Sequence, residues 1–171
     1  KSCSIKKLST DKLQRLMASG KTDCITALSL SSRGDATIED TAGLSSLKRL
    51  DLSKNKLKRL AHMSHLSKLG MLNVSANELT GSESLEELRY LTELRTLNIG
   101  ENPAIGRIKK QALLGLPHLQ AFIAHECGLS STDFLTKTTT LTTIVLSRNA
   151  LDSFPKLSMD TSFNHLIKLS I

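Results

Sequence analysis

One pattern is written seven times along this chain. Leucine or isoleucine stands at Ile25, Leu47, Leu69, Leu94, Leu119, Leu141 and Leu166, and each opens the sequence L-x-x-L-x-L. Successive starts are 22, 22, 25, 25, 22 and 25 residues apart. In five of the seven, the pattern continues to an Asn or Cys and a further apolar residue: Asn55 with Leu57, Asn77 with Leu79, Asn102 with Ile105, Cys127 with Leu129, and Asn149 with Leu151. A fixed period of this length produces a stacked array in which each unit buries its apolar face against its neighbours. It does not produce a globule around one central pocket.

Composition fits such an array. Hydrophobic residues make up 39% of the 171, yet aromatics are only 3% and Trp is absent. The interior must be built from Leu, Ile, Val, Ala and Met, as thin repeats require. No apolar run approaches the ~18 residues of a membrane span, and residues 1–7 hold no signal-peptide core. The chain lacks an initiating Met and stops at Ile171 inside its seventh repeat, which suggests a piece of a longer protein. Leu166, Leu169 and Ile171 would then present an uncovered end through which copies could stack.

Three cysteines, Cys3, Cys24 and Cys127, are too few and too scattered for a disulfide framework. Cys3 and Cys24 flank the first segment and could form one bridge. Reduced thiols of a cytosolic protein are the default reading. The sequon Asn73-Val74-Ser75 falls within an expected strand and is discounted.

Each repeat divides into two halves. The first ends in period-2 alternation (Leu50-Asp51-Leu52, Leu72-Asn73-Val74, Leu97-Asn98-Ile99), the mark of a short strand with one face buried. These strands run parallel, since every repeat re-enters in the same direction. The second half returns along the opposite side. In the longer repeats it has room for helical turns: Ser84-Leu85-Glu86-Glu87 reads as a capping box, and residues 109–116 are helix-compatible. Residues 1–24 form an expected helical cap, with N-cap candidates at Ser9-Thr10-Asp11, apolar residues at Leu13, Leu16 and Met17, and a stop at Gly20. Residues 25–171 form the repeats.

Asn55, Asn77, Asn102 and Asn149 stand where the chain leaves the strand and its carbonyls lose their sheet partners. A carboxamide can accept and donate there, so these residues, with Cys127 in the fifth repeat, are expected to form a structural ladder. Arg33 occupies that place in the first repeat, and an irregular turn is expected.

The segment Leu44-x-x-Leu47-x-x-Leu50-x-Leu52-x-x-Asn55-x-Leu57-x-x-Leu60 resembles the leucine-rich repeat family. Its 22-residue length is similar to the short subclass named for a regulatory subunit of protein phosphatase 1. The resemblance covers residues 25–171. It implies an α/β fold: a right-handed curved solenoid with a parallel β-sheet on the concave side and short helices or 3-10 turns on the convex side. It also implies protein partners. Secreted members usually carry a cysteine-rich cap, which this chain lacks, so the resemblance favours a cytoplasmic location.

Binding would use outward positions on the strands, which form columns across the repeats. The central column reads Ser29, Asp51, Asn73, Asn98, Ile123, Val145, Ser170. On one side stand Thr26, Lys48, Gly70, Arg95, Gln120, Thr142 and, beside them, Ala27, Arg49, Met71, Thr96, Ala121, Thr143. On the other stand Ser31, Ser53, Ser75, Gly100, His125, Ser147 and Ser32, Lys54, Ala76, Glu101, Glu126, Arg148. Small residues predominate and leave room for an inserted segment. The candidates for contacting a protein or peptide are Lys48, Arg49, Asp51, Lys54, Met71, Asn73, Arg95, Asn98, Glu101, Ile123, His125 and Arg148.

Charge is uneven. Residues 1–68 hold 14 Lys/Arg against 6 Asp/Glu, whereas residues 69–171 hold 9 against 10. Six cations fall within twelve residues of the second repeat: Lys48, Arg49, Lys54, Lys56, Lys58 and Arg59. An acidic protein segment or RNA could pair with them. The outward strand positions lack the aromatic platforms that single-stranded nucleic acid would stack on, so nucleic acid is the weaker alternative.

Catalysis finds no support. His62 and His65 are three apart without a third ligand, and His125 and Cys127 should face opposite ways. No phosphate loop or G-x-S-x-G occurs. The expectation is no catalytic residue, metal or cofactor. The chain reads as an interaction module of a larger scaffold or adaptor, with cytoskeletal, ciliary or centrosomal assemblies as settings. The alternatives are the acidic-ligand or RNA-binding module and a targeting subunit for a phosphatase or ubiquitin ligase.

Overall fold

A leucine every second residue gives a strand one greasy face, and seven such strands at near-constant spacing can only stack side by side. The computed structural model describes residues 3–5, 15, 19–20, 22, 24–34, 41–136, 138–152 and 165–171. Among these, eight strands form one all-parallel sheet in chain order: β1 (Cys3–Ile5), β2 (Ile25–Ser29), β3 (Arg49–Asp51), β4 (Met71–Asn73), β5 (Thr96–Asn98), β6 (Ala121–Ile123), β7 (Thr143–Val145) and β8 (Lys168–Ser170). From β2 to β8 the register is constant, with Leu28, Leu50, Leu72, Leu97, Phe122, Ile144 and Leu169 paired in one inward row. Those from Leu28 to Ile144 are buried.

The hydrogen-bonded ribbon is wider than the strands. Before them, Lys48 donates its N–H to Thr26, Gly70 to Lys48, Arg95 to Gly70, Gln120 to Arg95 and Thr142 to Gln120. After them, Leu30 donates to Asp51, Leu52 to Asn73, Val74 to Asn98, Ile99 to Ile123 and Ala124 to Val145. Every repeat is thereby locked to the next across about six residues. This is the parallel-sheet solenoid that the repeat period requires.

Behind the sheet the leucine rows of the return half fill the core: Leu44, Leu47, Leu66, Leu69, Leu91, Leu94, Leu116, Leu119 and Leu141 are all buried. Their backbone closes in i→i−3 turns, such as Leu66 to Met63, Leu69 to Leu66, Leu91 to Leu88 and Leu94 to Leu91. Such turns rise ~2.0 Å per residue against ~1.5 Å for an α-helix, so a short return segment spans the repeat. The fifth repeat replaces leucine with Phe122, whose ring meets Phe134 edge-on at 5.6 Å. Among the described residues no buried side-chain N or O lacks a hydrogen bond.

Two expectations change, and the segment ahead of the first repeat gains a strand. The capping box at Ser84 does not form: a 3-10 helix starts earlier, at Ser82, and runs to Tyr90 with Gly81 before it at φ 62°. Ser84 is inside it and donates its hydroxyl to the Gly81 carbonyl, while Glu87 accepts the Met63 N–H of the preceding repeat. Glu87 therefore ties two repeats together. Residues 109–116 hold isolated turns, Ala112 to Lys109 and Leu116 to Leu113, not a helix. The segment ahead of the first repeat supplies β1, which pairs with β2 through Ser4–Ala27 and Ile5–Leu28. Of the expected cap helix, Ser19 donates to the Arg15 carbonyl and Gly20 has φ 66°; residues 6–14 and 16–18 lie outside the described residues, as does any pairing of the Cys3 side chain.

Candidate interaction surface

The open face of the sheet is set by the same hydrogen bonds. Because Arg49, Met71, Thr96, Ala121 and Thr143 are paired in register, their side chains form one straight column. Asp51, Asn73, Asn98, Ile123 and Val145 form a second. The ribbon bonds ahead of the strands align Lys48, Gly70, Arg95, Gln120 and Thr142 as a third.

Lys48, Arg49, Lys54 and Arg95 are exposed, and no side-chain partner is recorded for any of them among the described residues. Met71 lies among the first, second and last of these and is 41% exposed. Met71 is thus an exposed apolar side chain set among cations that have no side-chain partner among the described residues. Gly70, between Lys48 and Arg95, leaves a gap in the third column; a Cβ there would meet only the Lys48 carbonyl, at 3.6 Å.

Asp51, Asn73 and Asn98 are less available than their outward pattern implies. Each turns its oxygen back onto the amide two residues ahead: Asp51 Oδ1 accepts from Ser53 N at 3.0 Å, Asn73 Oδ1 from Ser75 at 3.1 Å, Asn98 Oδ1 from Gly100 at 3.0 Å. Asp51 also accepts the Ser29 hydroxyl. These are Asx-turns that hold the strand end. The signal was present as D-x-S, N-x-S and N-x-G. Ile123 and Val145 follow in the same column, partly buried and apolar.

At the far side of the face the two acids have partners. Glu101 Oε1 lies 3.5 Å from His125 Nε2, and Glu126 Oε1 2.5 Å from Arg148 Nη1. The imidazole lies over Gly100, where a Cβ would fall 2.4 Å from its Cε1. Lys54, Ala76, Glu101, Glu126 and Arg148 share a further property that their sequence does not announce. All have φ between 53° and 58°, as has Ser32, so this edge column is built on left-handed residues.

Directly behind it stand the carboxamides. Asn77 donates to the Leu52 and Val74 carbonyls and accepts from Leu57 N. Asn55 does the same with Leu30, Leu52 and Arg33, and Asn102 with Val74, Ile99 and Leu79. Asn149 donates to Ala124 and Leu146 and accepts two amides, from Cys127 and Leu129. Each side chain bridges two repeats. At Cys127 the thiol donates to the Ile99 carbonyl, with Sγ at 3.1 Å, and burial pushes its pKa from 9.0 up to about 11. It remains a protonated thiol and His125 offers it a carbonyl, not an imidazole, at 3.5 Å. The turn at Arg33 keeps the left-handed residue and adds a bridge from Gly34 to Asn55.

His62 and His65 are both exposed, with Met63 buried between them. No group of three potential metal ligands occurs among the described residues, and no helix there is long and apolar enough to cross a membrane. At the C-terminal end Ile167 and Ile171 are exposed and Leu169, in the inward row, is 37% exposed.

Comparison with known proteins agrees with the fold. Residues 26–79 match the family model described as leucine rich repeat. Over 126 residues the chain is 32% identical to the Oplophorus-luciferin 2-monooxygenase non-catalytic subunit of Oplophorus gracilirostris, covering 70% of this chain and 34% of that protein. Among solved structures, a leucine-rich-repeat protein of Leptospira interrogans superposes with a TM-score of 0.73 at 23% identity, over 90% of this chain and 37% of that one. An internalin of Listeria monocytogenes does so with a TM-score of 0.66 at 22% identity, over 90% and 49%. The chain thus spans between a third and a half of the length of these proteins.

Proposed function

We propose that this array of leucine-rich repeats is a non-catalytic protein-interaction module, part of a larger cytoplasmic scaffold or adaptor, that receives its partner on the open, concave face of the sheet. One observation carries the reading: Met71 stands exposed in the middle of that face, in a column otherwise built of short side chains, Arg49 and Lys168. The rigid ribbon beneath holds these positions in place without a partner, so little ordering entropy is lost on binding. The relative from Oplophorus gracilirostris, itself designated a non-catalytic subunit, supports an accessory role.

The test uses the full-length protein and whatever partner it captures from its own cells. Met71→Glu and Ile123→Arg, on the sheet face, should abolish capture. Tyr90→Ala and Leu114→Glu, exposed on the return side, should leave it intact. The reverse pattern would place the interface on the other side of the solenoid.

A further inference from the structure

Resting on that reading, we infer that the N-terminal half of the face takes an amphipathic helix with a defined pattern: acidic residues seven apart, with an apolar residue midway between them on the same side. The argument begins with spacing. Lys48, Gly70 and Arg95 occupy one position in three successive repeats, joined by Gly70 N–H to Lys48 O and Arg95 N–H to Gly70 O. Parallel strands lie ~4.8 Å apart, so the two cations are anchored about 10 Å from each other. Between them is the side-chain gap of Gly70, and beside the gap is the exposed Met71, with Arg49 its neighbour in the register.

A helix rises ~5.4 Å per turn. Its residues i and i+7 lie on one face about 10 Å apart, and i+3 or i+4 lies midway between them. That matches cation, gap with thioether, cation. An extended chain matches poorly: residues ~10 Å apart are three positions apart and point to opposite sides. The flanking positions Ala27, Thr96 and Ala121 are short, so the cylinder of a helix can approach the sheet across the strands.

Charge supplies the sign. No side-chain partner is recorded for Lys48, Arg49 or Arg95 among the described residues, whereas Glu101 and Glu126 on the far edge are already engaged by His125 and Arg148. The free cations therefore select acids, and the apolar midpoint separates a helix from a polyanion. Nucleic acid meets the charge requirement but leaves Met71 without an apolar contact, and no aromatic stands in these columns to stack a base.

The experiment uses synthetic peptides of sixteen residues in an Ala/Gln host, titrated against the chain by fluorescence anisotropy. One carries Glu at i and i+7 with Leu at i+3 and i+4. The second has Gln for both Glu. The third moves the acids to i+2 and i+9, away from the leucines. The fourth carries Lys for Glu, and the fifth probe is a twelve-nucleotide single-stranded RNA. The first should bind at least tenfold more tightly than the second and third, and weaken as salt rises from 50 to 300 mM. Lys48→Glu with Arg95→Glu should remove that advantage and transfer it to the Lys peptide, a reversal that a merely unfolded variant cannot show.

Equal binding of the third peptide, tighter binding of RNA, or no binding of any probe overturns the inference. The two readings fail separately. A natural partner lost on Met71→Glu but indifferent to the double charge reversal keeps the sheet face and discards the acidic helix. Indifference to both discards both.

Discussion

Asn77 shows what one side chain does in a stacked fold. Three of its hydrogen bonds reach Leu52, Val74 and Leu57, which belong to two successive repeats. Asn77→Leu fits the volume but strands the Leu57 amide and leaves the Leu52 and Val74 carbonyls to the Asn55 and Asn102 carboxamides alone, at ~1–3 kcal/mol for a buried group left unsatisfied. Thermal melting measures this directly; an unchanged midpoint would show that water or relaxation replaces the ladder. Cys127 makes a prediction in pH. Burial holds its thiol at about 11 against 9.0, so between those values the unfolded chain has released a proton that the folded chain keeps. Stability must fall as pH rises through that window and be fully present below it. Melting at pH 8.5 and 11 should therefore show a smaller drop for Cys127→Ala than for the unchanged chain.

At the scale of one repeat, the decisive device is the turn out of the strand. The Asx oxygens of Asp51, Asn73 and Asn98 close their strands; a left-handed residue then reverses the chain, and the ladder residue follows. Six non-glycine residues accept φ near 55° at that left-handed position, Ser32 among them, at a cost of roughly 1–2 kcal/mol each. Ala76→Gly relieves that cost and should raise the melting temperature or leave it unchanged. Ala121→Gly, in β6 without positive φ, should cost about 0.5–1 kcal/mol and lower the melting temperature. Gly128 is the opposite case. It has φ 63°, and a Cβ would fall 2.5 Å from the Pro103 carbonyl oxygen, a backbone atom that cannot swing aside. Gly128→Ala should cost more than about 2 kcal/mol, read from urea unfolding, since steric overlap adds to the left-handed strain.

The whole molecule separates stability from recognition. Stability resides in leucines shared between neighbouring repeats, so a fully buried one such as Leu94 should cost about 2–5 kcal/mol when changed to Ala. Lys48 and Arg95 have no side-chain partner among the described residues that would tie one repeat to the next. Lys48→Glu with Arg95→Glu should leave the folding free energy within about 0.5 kcal/mol per site while reversing the charge preference of the face. Paired chemical denaturation and peptide titration of the same variants check both halves. A large loss of stability in the charge variants would show that the cations support the fold.

The leucine spacing determined by itself that the chain is a solenoid with a parallel sheet, which columns of residues share its open face, and where the turns fall. Period and alternation are local properties, and stacking identical units leaves no freedom in how they pair. Three things were decided only in three dimensions. The strength of the capping-box motif at Ser84 could not show that Glu87 would bond Met63 of the preceding repeat instead. The outward pattern of Asp51, Asn73 and Asn98 marked them as contacts, yet their oxygens are consumed by amides two residues on. Met71 reads as one more apolar residue until Gly70, Lys48 and Arg95 are brought around it from three repeats. Hydrogen bonds between repeats and the company of an exposed side chain depend on residues ~22 positions apart, and that distance is closed only when the chain has coiled.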